Sequence, residues 1–190
     1  MINPSEITNF SRTGHQLEEL LLFSISCAGK NSDVQAEKLD RFLAGGLPFA
    51  TVRNYHKAGV LVDTLKRVGL GKYKLLSEGF LQAATDKILN LRKVNWPKLT
   101  QFTGVGLKTA KFFLCHSRED FKGAVLDTHV LNWLRGKYPS ARIPKVSPTN
   151  PIKYREVEAF FLAECFKIGA TPAELDLHIW KEMRNKQQQQ

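Results

Sequence analysis

Cysteine is scarce in this chain, with only Cys27, Cys115 and Cys165 present, odd in number and far apart. That pattern excludes a disulfide framework, and no CxxC pair offers a zinc site. Cys27 and Cys115 sit in apolar stretches and read as small buried hydrophobes. No apolar run approaches the length of a membrane span, and the first sixteen residues, MINPSEITNFSRTGHQ, lack an apolar signal core. A soluble, cytoplasmic protein is therefore expected. Alternating apolar and polar runs between turn signals are also missing, which argues against strands. Acidic residues are the last shortage. Asp and Glu number 18 against 28 Lys and Arg, a formal net charge of +10. Such an excess favours a polyanionic partner, nucleic acid being the commonest, although charge alone also fits a basic soluble protein without one.

What is present reads as helix throughout. At 190 residues and 43% hydrophobic, the chain can build one sizeable core or two small lobes sharing a cleft. HQLEELLLFSISCA carries a broad apolar helical face at Leu17, Leu20, Leu21, Ile25 and Cys27. Asn31 and Ser32 offer caps for NSDVQAEKLDRFLA, Gly45 and Gly46 end it, and Pro48 suits the first turn of PFATVRNYHKAG. LVDTLKRVG and KYKLLSEGFLQAATDKILNLR follow, separated by Gly69-Leu70-Gly71. Trp96 and Pro97 open a short helix, then come LKTAKFFLCHS and DTHVLNWLRGKY. After a polar, proline-rich loop at 139–151, KYREVEAFFLAECFKIG and PAELDLHIWKEMR complete an all-α pattern.

The most informative stretch is 99–130, LTQFTGVGLKTAKFFLCHSREDFKGAVLDTHV. A glycine hairpin, Gly104-Val105-Gly106, lies between two helical patterns, and such a hairpin lets backbone N–H groups approach an anion closely. By itself it fits a helix C-cap followed by a tight turn better, the common use of glycine. Lys108 follows on the first turn of the next helix. It fits a solvated or phosphate-contacting lysine, or a nucleophile if it can lose its proton. Asp127, 19 positions further on, fits a helix N-cap, and a cap also presents a carboxylate at a helix end.

Together these residues resemble the helix-hairpin-helix DNA glycosylase superfamily, whose signature is a GVG-type hairpin, a catalytic lysine and an aspartate in a VDTH-like segment. The resemblance spans most of 17–183 and implies two helical lobes flanking a DNA-binding cleft. In that arrangement residues 1–186 form one domain. Its central lobe covers about 30–137, its second lobe combines the N-terminal helix with about 151–186, and 187–190 (all glutamine) are a disordered tail. The resemblance assigns Lys108 to attack on C1′ of the target deoxyribose and Asp127 to stabilising the cationic sugar and assisting lysine deprotonation. The hairpin residues Thr103, Gly104, Val105 and Gly106, with Thr109, would hold a DNA phosphate, often with a bound monovalent cation. Thr103 stands where the family has proline. Many members carry an iron–sulfur cluster on four clustered cysteines, but only Cys165 lies in that region, so no cluster and no other cofactor are expected.

The segment ELDLHIW resembles the ending of the short archaeal-type 8-oxoguanine glycosylases. There a tryptophan stacks on the extruded base and a terminal lysine contacts it, which carries over to Trp180 and, less directly, Lys186, which four glutamines follow. Asp176 would read the base edge, although an aromatic anchor closing the core is the plainer use of this helix face. Tyr73 stands where a second stacking aromatic could sit or could equally be core, and Lys30 or Asn31 where the family fills the gap left by the base. The implied activity is a bifunctional DNA glycosylase and abasic-site lyase on double-stranded DNA, acting on an oxidised purine such as 8-oxoguanine, as a monomer that is nucleoid-associated if prokaryotic. Excision of a modified pyrimidine, or a non-catalytic helix-hairpin-helix DNA-binding module, are the alternatives.

Overall fold

The computed structural model describes the backbone of residues 1–188 and the side chains of residues 1–184. After one 3₁₀ turn at Pro4–Glu6, the described residues form ten α-helices and no strand. These are α1 (Gly14–Ser26), α2 (Ser32–Leu43), α3 (Pro48–Lys57), α4 (Leu61–Arg67), α5 (Tyr73–Thr85), α6 (Trp96–Leu99), α7 (Leu107–Ser117), α8 (Thr128–Lys137), α9 (Pro151–Ile168) and α10 (Pro172–Gln188). None is long and apolar enough to cross a membrane.

Local chemistry explains most of the boundaries. Thr13 and Gln16 form a reciprocal capping box that starts α1. Asn31, Asn95, Asp127 and Asn150 each accept a backbone N–H at the start of α2, α6, α8 and α9. One boundary departs from the periodic pattern, because α5 stops at Thr85 instead of continuing through DKILNLR. Asp86 leaves the helix, accepts the Ile88 N–H at 3.0 Å and holds the Lys98 ammonium at 2.6 Å. Asn90 then turns the chain back onto itself by accepting the Arg92 N–H at 3.0 Å.

Buried apolar side chains gather into two main clusters. The larger is built from α1 to α7, with Leu20, Leu21, Phe42, Phe80 and Phe113 wholly enclosed. The second joins the start of α7 to α8, α9 and α10 through Leu131, Leu134, Phe161 and Ile179. This corrects the lobe assignment expected from sequence. Helix α1 packs on α2, α3, α5 and α7 rather than pairing with the C-terminal helices, because it is apolar around most of its circumference and needs a neighbour on every side. Helix α8 belongs with α9 and α10. Helix α10 continues through Gln188, two residues into the glutamine run.

Candidate active site

A cleft of about 510 Å³ opens where the two clusters meet. Its walls come from the turn after α1, the inward face of α7, the start of α8 and one face of α10. Lys108, Asp127, Asp176, Trp180, Lys30 and Asn31 all line it, so the structure brings together residues spread across 150 positions of sequence. Tyr73 is the exception. It stands at the start of α5, packed against the larger cluster and away from the cleft, because the glycine turn before it points the helix into that core. The side chain of Lys186 lies outside the described residues.

The hairpin before Lys108 is braced from α5. Gly104 adopts φ +81°, and a Cβ there would meet Leu75 Cδ2 at 2.4 Å. Gly79, in the middle of α5, lets the helix touch the turn, since a Cβ at Gly79 would come within 2.2 Å of the Thr103 carbonyl oxygen. Gln82 Oε1 accepts the Thr103 N–H at 2.7 Å, and the Phe102 carbonyl accepts the Val105 N–H at 3.0 Å. Those two amides are therefore engaged, and the Val105 side chain is buried in the larger cluster. The Thr109 side chain is likewise buried in the cleft wall. The expectation that all five residues present groups to a phosphate narrows accordingly. The amide N–H groups of Gly104, Gly106, Leu107, Lys108 and Thr109 have no partner among the described residues, and Gly106 supplies no side-chain cap. Helix N–H groups left in this way form an anion-binding end. A Cβ at Gly106 would meet nothing within 4 Å, so its surroundings are open.

Lys108 is half-buried on the cleft wall and has no carboxylate within 4 Å and no hydrogen-bond acceptor among the described residues. One turn further, Lys111 behaves oppositely. Its ammonium is buried against Glu158 and lies 4.6 Å from the centre of the Tyr154 ring. Glu158 also accepts the Ala124 N–H at 2.7 Å, while the Tyr154 hydroxyl donates to the Ala124 carbonyl at 2.9 Å and accepts the Leu126 N–H at 3.0 Å. This buried network clamps the extended segment between α7 and α8 and so fixes the position of Asp127. None of its members was singled out by sequence, where a lysine and a glutamate 47 residues apart look like separate solvated charges.

Asp127 caps α8, accepting the Val130 N–H at 2.8 Å. Burial pushes its carboxyl above the ordinary carboxylate range, and the nearby Asp176 pushes it the same way. The Val130 N–H, His129 and Lys108 pull against that rise. Cys27 shares the cleft wall with Lys108, and burial pushes its thiol up to about 12 despite Lys108 and Lys30. It stays protonated at neutral pH and does not compete as a nucleophile.

Trp180 belongs to neither apolar cluster. The Arg184 guanidinium lies 5.1 Å from its ring centre and pairs with Asp33 at 2.9 Å, tying α10 to α2. The expected gap-filling residues are both occupied. The Lys30 ammonium donates to the Leu70 carbonyl, and the Asn31 side chain caps α2 through the Val34 N–H. Sequence also missed His116. It is completely buried at the end of α7 and hydrogen-bonded to Asp176 at 3.1 Å. Among the described residues no three His, Cys, Asp or Glu side chains gather into a metal-binding set. No family model matches the chain, and no solved structure matches it.

Proposed function

We propose that this protein is a helix-hairpin-helix DNA glycosylase with abasic-site lyase activity, acting on an oxidised purine such as 8-oxoguanine in duplex DNA. The observation that carries the reading is the content of the cleft. It holds a lysine with no carboxylate within 4 Å among the described residues, a carboxyl with raised proton affinity, and an indole ring outside both apolar clusters. The anion-binding end of α7 adjoins the lysine, so a DNA phosphate seated there would bring a sugar towards the cleft.

In this reading the target nucleotide leaves the duplex and its base enters the cleft against Trp180. Asp127 takes a proton from the Lys108 ammonium, a task for which a carboxylate raised above its usual range is better suited than a solvated one. The freed Nζ lone pair forms a bond to C1′ as the C1′–N bond to the base breaks, and the base departs with that electron pair. Opening of the sugar ring places a proton on O4′ and leaves an imine between Lys108 and C1′. Loss of a C2′ proton then expels the 3′ phosphate, and water releases the lysine.

Borohydride reduces such an imine to a stable amine, so the test is covalent trapping on duplexes that each carry one modified base. Wild type should be trapped on the 8-oxoguanine duplex, and Lys108→Gln should bind that duplex without being trapped. Trapping only on a modified pyrimidine would move the substrate class. Binding without trapping on any duplex would make the protein a DNA-binding module.

A further inference from the structure

The cleft contains a hydrogen-bonded chain that the reaction above does not use. Lys108, Phe112 and His116 recur every four residues on α7 and all line the cleft, with the Phe112 and His116 rings edge to face at 4.7 Å. His116 has no exposed surface. Its Nε2 lies 3.1 Å from Asp176 Oδ2 and its Nδ1 lies 2.9 Å from the Thr8 hydroxyl. The segment carrying Thr8 is itself docked on this residue, for the His116 carbonyl accepts the Asn9 N–H at 3.2 Å and the Arg12 guanidinium at 2.7 Å. Arg12 also donates to the Ile7 and Asn9 carbonyls, which locks the turn on which Thr8 sits. Three separate parts of the chain thus converge on one imidazole.

We infer that Thr8 and His116 are positioning residues that keep Asp176 a pure hydrogen-bond acceptor, so that the cleft selects a flat heterocycle presenting an N–H at its edge. In a neutral imidazole one nitrogen donates and the other accepts. With the Thr8 hydroxyl donating to Nδ1, the ring proton lies on Nε2 and aims at Asp176. That N–H engages one carboxylate oxygen, and the other makes no hydrogen bond among the described residues, leaving it to accept from a ligand. Asp176 stands one turn before Trp180 on α10, so the acceptor edge and the stacking face belong to one side of one helix. The inference rests on the proposed reading for its occupant, an extruded base. With its N7 edge towards Asp176, 8-oxoguanine offers the N7 proton, whereas guanine and 8-bromoguanine place a lone pair there, which a carboxylate oxygen repels.

The test separates the tautomer from the chemistry. Nitrogen-15 spectra of histidine-labelled protein, with the His116 signal assigned by its loss in His116→Gln, should report the Nε2–H form in wild type and in Thr8→Ser. Thr8→Val, which keeps the side-chain shape without the hydroxyl, should lose that single form. Titration with free 8-oxo-2′-deoxyguanosine and 8-bromo-2′-deoxyguanosine should give a preference of roughly tenfold or more for the former in wild type and Thr8→Ser. The preference should collapse to about threefold or less in Thr8→Val and His116→Gln, since the acceptor edge is no longer held. An Nδ1–H ring in wild type, no preference in wild type, or an undiminished preference in Thr8→Val would each overturn the inference. Nucleoside selectivity with the Nε2–H ring but no borohydride trapping would sustain it and remove the proposed reaction. Trapping with the Nδ1–H ring would do the reverse.

Discussion

Asp127 does two jobs with one carboxylate, and they pull on stability in opposite directions. As a cap it satisfies the Val130 N–H. As a buried charge facing Asp176 it is held above the ordinary carboxylate range. A carboxyl that binds its proton more tightly in the folded than in the unfolded chain lowers stability as pH rises from the unfolded value through the folded one, and above that the cost is complete. Asp127→Asn keeps the cap acceptor and removes the charge. Its Tm should therefore exceed that of wild type at pH 7.5, with the advantage shrinking towards pH 4, while trapping slows by roughly 10²-fold or more. A lower Tm at pH 7.5 would make the cap the whole role of this residue. Trp180 gives the complementary case. Because it lies in neither cluster, Trp180→Ala should leave Tm nearly unchanged. Excision of the damaged base should slow by roughly tenfold or more, since stacking is worth about 1–3 kcal/mol per base. Cleavage of a preformed abasic site, which has no base to stack, should suffer less. Equal losses on both substrates with a large fall in Tm would mean that the indole anchors the fold.

The hairpin between α6 and α7 depends on two glycines with different tasks. Gly79 sits in α5 because nothing larger fits against the Thr103 carbonyl, whereas Gly106 has extended backbone and open space around it. Gly79→Ala should cost about 1–3 kcal/mol of stability by forcing helix and turn apart. Gly106→Val should leave Tm almost unchanged yet weaken binding to undamaged duplex of any sequence, because its methyl groups stand where a phosphate would approach the helix end. A large fall in Tm for Gly106→Val would assign that glycine to the fold instead. The contrast also marks what sequence could reveal. The spans of α7 and α8 were legible because their start signals, Gly106 and Asp127, are local. The reason for Gly79 lies 24 residues away at Thr103, and inside a helix a glycine reads only as a weak position. Lys98 draws Asp86 out of α5 in the same non-local way. The cleft members Lys108, Asp127, Asp176 and Trp180 were legible as residue types in a pattern. His116 and Thr8 were not, since neither carries a motif and only packing brings them to Asp176.

At the scale of the whole molecule, the cleft is a seam between two apolar clusters, and Lys30 on its wall has two further lysines as neighbours. Lys38 and Lys72 lie near Lys30, and none of the three has a carboxylate within 4 Å among the described residues. The Lys30 ammonium is pulled below the ordinary lysine range by burial first, then by Lys72 and Lys38. Lys30 and Lys72 also cross-link the two turns on which they sit, through the Leu70 and Ala28 carbonyls. Crowded like charges cost the folded protein stability that an anion laid across them would restore. The duplex proposed as partner supplies that anion, and its binding should then be strongly salt-dependent. With four or five phosphates contacted, affinity for undamaged duplex should fall roughly 10²–10³-fold between about 50 and 200 mM salt. The two kinds of contact should separate in the slope. Lysines release counterions and backbone amides do not. Lys38→Gln should therefore flatten the plot of log affinity against log salt by about 0.9, whereas Gly106→Val should lower the line and leave its slope alone. A slope unchanged in Lys38→Gln would put the duplex elsewhere on the surface, and a flat line for wild type would remove phosphate as the main source of affinity.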